Sequence, residues 1–411
     1  MEKFRVISDL HIDYNHDYDV KLKKDDIFTV IAGDIGGQMA MFKAKPSRKT
    51  IYVSMNGMDN DGILSELIGD RKSVKIEYAG CGDWILDGNK INPSEYGITI
   101  TAAFNEFNVG DYVKITKTTT FDWIKKNITK GVFIAGNHIV YNYYHKTIEE
   151  LKNEYAKEFP IESDITFLDC DSGVFTKEVD GILFIGTTLY TNYELPVGDY
   201  TRGATIGDKS VDERVAFNMR IATPKMSGGG MNDFQFGLTD EGTYTKEAYN
   251  SSDHYYLRPQ NYLEFFKRSF AKIKEAVEKN SDKPIVIVTH HCPSTKCISK
   301  EYVDDWMNAS YVSDLDDFII SHPQIKCWIC GHVHHRSSFK IGNCLCVMNP
   351  LGYCKHGQFK ASDGNEGWSP DVFVNVKDWS VEKKPYVNKK WESSLKKYQK
   401  MVSKYLPFFM I

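Results

Sequence analysis

Five short apolar runs rich in β-branched residues each end within a few positions of a side chain that can bind a metal, and no other feature limits the fold so tightly. Phe4-Arg5-Val6-Ile7-Ser8 leads to Asp9 and His11, and Ile27-Phe28-Thr29-Val30-Ile31 leads to Asp34. Val132-Phe133-Ile134 runs into Asn137 and His138, Ile285-Val286-Ile287-Val288 into His290, and Cys327-Trp328-Ile329 into His332 and His334. Runs this short, without regular polar alternation, read as strands buried on both faces. Such strands belong to layered α/β folds, where ligands gather just beyond the carboxyl ends of the strands. Side chains far apart in sequence are therefore expected to meet in one crevice.

The 411 residues exceed the usual size of one hydrophobic core, so a large domain with insertions, or two domains, is expected. Basic and acidic side chains number 51 and 55, a balance that argues against a global nucleic-acid or membrane footprint. The first residues enter a strand without a signal peptide, and no apolar run approaches the roughly 20 residues that span a bilayer. A soluble, cytoplasmic protein is the expectation. The nine cysteines are scattered, many of them in strand-like runs, which suits reduced, buried thiols. Cys327 and Cys330 have the spacing of a redox or zinc pair, but no second pair accompanies them, and strand alternation sets them on opposite faces.

The stretch between Asp34 and Asn137 is far longer than a strand-helix-strand crossover needs. Within it, Thr50-Ile51-Tyr52-Val53, Val74 to Tyr78, Ile98 to Thr101 and Tyr112 to Ile115 are β-type runs divided by Gly, Asn and Asp. The chain thus divides into a main body of residues 1–44 and 119–386, a β-rich insertion at 45–118, and a tail at 387–411. Tyr78, Trp84, Tyr96 and Phe104 of the insertion are assigned to its own core rather than to ligand stacking. Helices are expected over 121–127 and 147–159, and a longer one carries Tyr262, Phe266, Phe270, Ile273 and Val277 on one face. Gly228-Gly229-Gly230 reads as a flexible joint or tight turn and not a phosphate loop, because no strand leads into it and no Lys-Ser/Thr follows. The tail reads as a basic amphipathic helix with Trp391, Leu395, Tyr398, Val402 and Tyr405 on one face.

Taken singly, an Asp after a strand is more often a turn former, and a His near a sheet edge more often structural. Together these residues mix carboxylate and amide oxygens with imidazole, a donor set suited to Mn²⁺, Fe or Zn²⁺ rather than to Ca²⁺. Asp9 and His11, two apart past a strand end, can reach one ion, and the two oxygens of Asp34 can bridge two.

In this order, Asp9-Leu10-His11, Gly33-Asp34, Gly136-Asn137-His138, Thr289-His290 and Gly331-His332-Val333-His334 resemble the motifs of the calcineurin-like metallophosphoesterases. Ile185 to Tyr190, His290 to Ser294 and Asn349-Pro350-Leu351-Gly352-Tyr353 resemble a bacterial and phage subgroup of that family, over residues 1–44 and 119–355. The resemblance implies a sandwich of two β-sheets flanked by helices, here with the β-rich insertion. It implies two divalent metal ions, Mn²⁺ first, with Fe, Zn²⁺, Ni²⁺ or Mg²⁺ as alternatives. Asp9, His11, Asp34 and His334 would hold one ion, Asp34, Asn137, His290 and His332 the other. The implied activity is hydrolysis of a phosphodiester or phosphomonoester, of a nucleotide or nucleic acid for example, by a hydroxide bridging the metals. His138 would assist the leaving group.

Two departures stand out. Ile139 replaces the acid that usually follows the Asn-His pair, and Leu351 stands where the subgroup often has a basic residue. They support an alternative in which the metal site is structural and the insertion is a recognition module of a binding or scaffold protein. Asp34 also lacks the Asp-Arg-Gly continuation of the serine/threonine protein phosphatases. His291 and His335 adjoin candidate ligands, whereas His16, His145, His254, His322 and His356 have no matching partners.

Overall fold

The structure, a computed structural model, describes residues 1–12, 20, 22, 25–36, 41–55, 63–103, 106–141, 146–196, 198–199, 204–205, 209–225, 229–240, 255–353 and 368–383. Two six-stranded mixed sheets face one another. The first runs Ile165–Phe167, Gly131–Phe133, Phe28–Ile31, Lys3–Ile7, Val372–Asn375, Ser380–Lys383, its first four strands parallel and its last two antiparallel. The second runs Thr176–Val179, Ile182–Thr187, Ile285–Thr289, Ile325–Cys330, Cys344–Met348, Ser337–Ile341. Its four central strands are parallel, and an antiparallel strand closes each edge.

All five motif-bearing runs lie on the parallel strands, where both faces are covered, and this explains their unbroken apolar character. Between the sheets, Phe4, Val6, Phe28, Val30 and Val132 meet Phe184, Val286, Val288, Cys327 and Ile329. Alternate residues turn outward under the helices. The Phe133 ring lies 5.8 Å from Tyr155 and 5.1 Å from Phe159, at the end of helix Ile148–Glu158. On the other side, helix Pro259–Lys279 buries Tyr262, Phe266, Ile273 and Val277, with Phe270 half-buried against Phe318. Helices Thr120–Asn127 and Ile148–Glu158 both begin with a capping box, Thr119 with Asp122 and Thr147 with Glu150. The result is a helix-flanked sandwich of two sheets.

The segment between the second and third strands of the first sheet builds a sheet of its own, in the order Met41–Pro46, Tyr112–Thr118, Ser73–Gly80, Asp83–Leu86, Asn89–Ile91. A two-stranded ladder, Ile51–Met55 with Ile98–Ala102, completes it. Asp87 (φ +51°) and Gly88 (φ +83°) form the two-residue loop between the last two strands of that sheet, both left-handed as the strand twist requires. Ile51, Leu64, Ile68, Val74, Ile76, Trp84, Val113 and Ile115 form a separate core. Tyr78 packs 5.4 Å from Trp84 and Tyr96 joins the same cluster, so these aromatics serve the core, while Phe104 lies outside the described residues. Also outside them are Gly228 and the 387–411 tail.

Candidate metal centre

Each candidate ligand leaves the sheet by a sharp turn at a strand's carboxyl end. Asp9 (φ +50°), His11 (+41°), Asp34 (+45°), His332 (+68°) and His334 (+48°) all adopt left-handed backbone, a conformation that costs a non-glycine residue about 1 kcal/mol or more. Neighbouring turns hold that strain in place. Asp9 N–H donates to Gly33 O (3.1 Å), His11 N–H to Asp34 O (3.0 Å), and Gly331 N–H to His290 O (3.0 Å). Two of the turns pack so closely that only glycine fits. A Cβ on Gly136 would lie 1.9 Å from Asp34 Oδ1, and one on Gly331 would lie 2.4 Å from Asp9 Oδ2.

All seven candidate ligands come together, and the ring of His138 lies 4.4 Å from that of His11. On one side, His11 Nε2 is 2.9 Å from His334 Nε2, which is 3.5 Å from Asp9 Oδ1. On the other, Asn137 Oδ1 is 2.9 Å from His290 Nε2 and 3.0 Å from His332 Nδ1, and those two nitrogens are 3.3 Å apart. Asp34 Oδ2 stands between the groups, 3.1 Å from His290 Nε2 and 3.8 Å from His11 Nε2. Donors around a cation with bonds of about 2.1 Å are separated by roughly 3.0 Å at octahedral and 3.4 Å at tetrahedral angles. The observed spacings bracket those values. Asp9 Oδ2 is buried with no hydrogen-bond partner among the described residues, which a cation would supply. The donor set therefore fits metal ions on an observation independent of the motifs.

Burial decides the protonation of most of the rings. It holds His11 and His332 well below the ordinary histidine value and brings His138 down to about 4, so all three are neutral. His290 differs: burial pulls it down, but the Asp34 carboxylate beside it, joined by Asp9 and the Ala32 carbonyl, outweighs that and lifts it to about 9. Burial likewise opposes ionisation of Asp34, yet the charged His290 ring beside it, which also hydrogen-bonds it, holds its carboxyl well below the usual range. His290 Nδ1 lies 2.9 Å from Ala32 O, a contact that needs the proton on Nδ1 and turns Nε2 toward Asp34 and Asn137.

Two residues that contact the candidates carry no assignment from the sequence. Asp233 is fully buried and accepts hydrogen bonds from Asn137 Nδ2 (2.7 Å), Tyr262 OH (2.9 Å) and Tyr141 OH (3.3 Å). That grip orients the Asn137 amide so that its oxygen faces His290 and His332. Asp233 lies in the irregular stretch before helix Pro259–Lys279, where no periodicity or motif marks it. Tyr353 is the second; its hydroxyl is 2.8 Å from His138 Nε2, and its ring is 4.5 Å from that of His11. Its signal was present as the last residue of Asn349-Pro350-Leu351-Gly352-Tyr353. Ile139 and Leu351 are both buried in the apolar core, so the contact to His138 comes from Tyr353 and not from position 139. His291 is buried with its ring 4.2 Å from that of His332, His335 is half-buried, and His322 bonds Phe318 O. His16, His145, His254 and His356 lie outside the described residues.

No family model matches the chain. An uncharacterized protein of Acanthamoeba polyphaga mimivirus is 22% identical over 268 residues, spanning 62% of this chain and 77% of the relative. Among solved structures, the chain is similar to phosphopantetheinyl hydrolase from Mycobacterium tuberculosis, at 12% identity and a TM-score of 0.46 over 87% of this chain and 94% of that one. It is also similar to a putative 5′-nucleotidase from Staphylococcus aureus, at 12% identity and a TM-score of 0.35 over 85% of this chain and 48% of that one. The architecture is the helix-flanked two-sheet sandwich expected from the resemblance. Among the described residues, no helix is long and apolar enough to cross a membrane.

Proposed function

We propose that the chain is a binuclear metal-dependent phosphoesterase acting on a phosphodiester or phosphomonoester. The observation that carries this reading is Asp34, one carboxylate set between two groups of buried donors at 3.1 Å and 3.8 Å. Asp9, His11, Asp34 and His334 would hold one ion and Asp34, Asn137, His290 and His332 the other, with Mn²⁺ first among the candidates. Bound there, a pair of divalent cations supplies an activated water and offsets charge on the phosphoryl oxygens.

The chain's own residues do the rest. The left-handed turns at Asp9, Asp34 and His332 hold the donors in place before substrate arrives, so no reorganisation accompanies the reaction. The Tyr353 hydroxyl holds the His138 ring through Nε2 before substrate binds, and neutral His138 would then offer its Nε2–H to the departing oxygen in place of that contact. Asp233 keeps the Asn137 oxygen turned inward.

The test is turnover of bis-aryl and mono-aryl phosphates, nucleotides and single- and double-stranded DNA by protein stripped with a chelator and reloaded with Mn²⁺. Hydrolysis restored by about two equivalents of metal, and strongly reduced in Asp34→Asn, is the expected result. A reloaded protein that cleaves no phosphoester in the panel overturns the reading.

A further inference from the structure

Sulfur accumulates on the outer side of the second sheet. Of the nine cysteines, Cys292, Cys297, Cys330, Cys344 and Cys346 share one apolar layer with Met348. Three of these thiols converge: the sulfurs of Cys292, Cys297 and Cys330 lie within 4.8 Å of one another, and all three residues are fully buried. Cys297 Sγ is 3.9 Å from Cys330 Sγ, and Cys292 Sγ is 3.8 Å from the Met348 sulfur. Four sulfur donors on a tetrahedron with metal–sulfur bonds of about 2.3 Å stand roughly 3.8 Å apart along each edge.

Buried cysteines pack as small hydrophobes, and this accounts for their burial. It does not account for the convergence of three thiols from three separate places in the chain, with a thioether against one of them. Cys292 follows strand Ile285–Thr289, Cys297 closes the short turn Thr295–Cys297, and Cys330 and Met348 end strands Ile325–Cys330 and Cys344–Met348. Cys327, the neighbour that sequence spacing suggests for Cys330, lies between the sheets on the opposite face. The partners of Cys330 come from elsewhere.

We propose that Cys292, Cys297 and Cys330, with the Met348 thioether as fourth donor, form a site for one thiophilic d10 cation, Zn²⁺ or Cu⁺, separate from the binuclear centre. Thiolate and thioether donors select such ions over Mn²⁺ or Mg²⁺. On binding, each thiol releases its proton to solvent, and Cys292 gives up its 3.2 Å contact to the Gly331 carbonyl. Because the donors are buried, the ion enters as the chain folds. Cys292 stands two residues after His290, and Cys330 two residues before His332. The ion therefore fastens the 292–297 turn to both strands that carry histidines of the second sheet.

Cadmium alone is the probe, because thiolate-bound Cd²⁺ gives a near-ultraviolet charge-transfer band that nitrogen and oxygen donors do not. Full-length protein is refolded with Cd²⁺ and then exchanged into Mn²⁺. Retention of about one thiolate-bound Cd²⁺ per chain is expected, lost in Cys297→Ser and in Cys330→Ser and retained in Cys81→Ser, whose thiol is exposed. Absence of the band in the unaltered refolded chain, or its survival in Cys297→Ser, overturns the proposal. The readout does not depend on hydrolysis, so it stands or falls apart from the phosphoesterase reading.

Discussion

At the scale of the residue, the left-handed turns separate the candidate ligands from ordinary strand ends. Asp, His and Asn could be read as donors because their chemistry is written in their identity, and the glycines at 33, 136 and 331 marked the turns. Asp233 could not be read, since its role exists only where the chain brings it to Asn137 across 96 positions. Replacing Asp34 with Asn removes the one charge shared by both donor groups, and turnover should fall on the order of 10²–10³-fold with the fold intact by circular dichroism. Asp233→Ala leaves the Asn137 amide free to turn its oxygen away. The Mn²⁺ concentration giving half-maximal activity should then rise about 10–100-fold, whereas Asp233→Asn, which keeps an acceptor, should fall between that variant and the native chain. Tyr353→Phe should lower kcat by about tenfold with little change in KM, because the ring remains while the contact to His138 is lost. Equal kcat values in Tyr353→Phe and the native protein would remove Tyr353 from the machinery.

At the scale of the element, the strands that could be read are those with unbroken β-branched runs, and the helices those with an apolar stripe. Val372–Asn375 and Ser380–Lys383, which close the first sheet, are four residues each and were not anticipated, because their place depends on pairing with Lys3 to Arg5 at the far end of the chain. The two-residue strands at 198–199, 204–205, 238–239 and 255–256 carry no period at all. One helix is fixed to the sheet by a charge that periodicity does not foresee. Lys152, on the buried face of Ile148–Glu158, pairs with Asp169 at 2.9 Å, both side chains almost wholly buried. Burial works against the charged lysine, but Asp169 overrides it and raises the lysine's pKa. Lys152→Met strands the carboxylate in the interior and should cost about 3–5 kcal/mol in urea unfolding. The double variant Lys152→Met with Asp169→Asn, which removes the charge but keeps the oxygen that accepts from the Asp171 and Ser172 N–H groups, should recover most of that loss. A single variant as stable as the native chain would mean that the pair contributes nothing to holding the helix.

At the scale of the whole molecule, the question is how a sandwich tolerates a second cored body between two of its adjacent strands. Met41 pairs directly with Thr118 in the antiparallel ladder, so the inserted segment leaves and returns at neighbouring positions. Paired residues in such a ladder lie only about 4.5–5.5 Å apart, a gap that a very short linker spans. The two cores are also distinct, with Val74, Ile76, Trp84 and Val113 in one and Phe4, Val30, Val286 and Ile329 in the other. On that separation each core is expected to form without the other. Replacing residues 41–118 with a short Gly-Ser linker should yield a chain that unfolds cooperatively and, reloaded with Mn²⁺, turns over aryl phosphates within a few-fold of the native rate. Thermal unfolding followed by circular dichroism, alongside the aryl phosphate assay, checks both halves of this. If the shortened chain folds but has lost aryl phosphate hydrolysis, residues of the insertion contribute to the centre itself; if it fails to fold, the two cores are not independent.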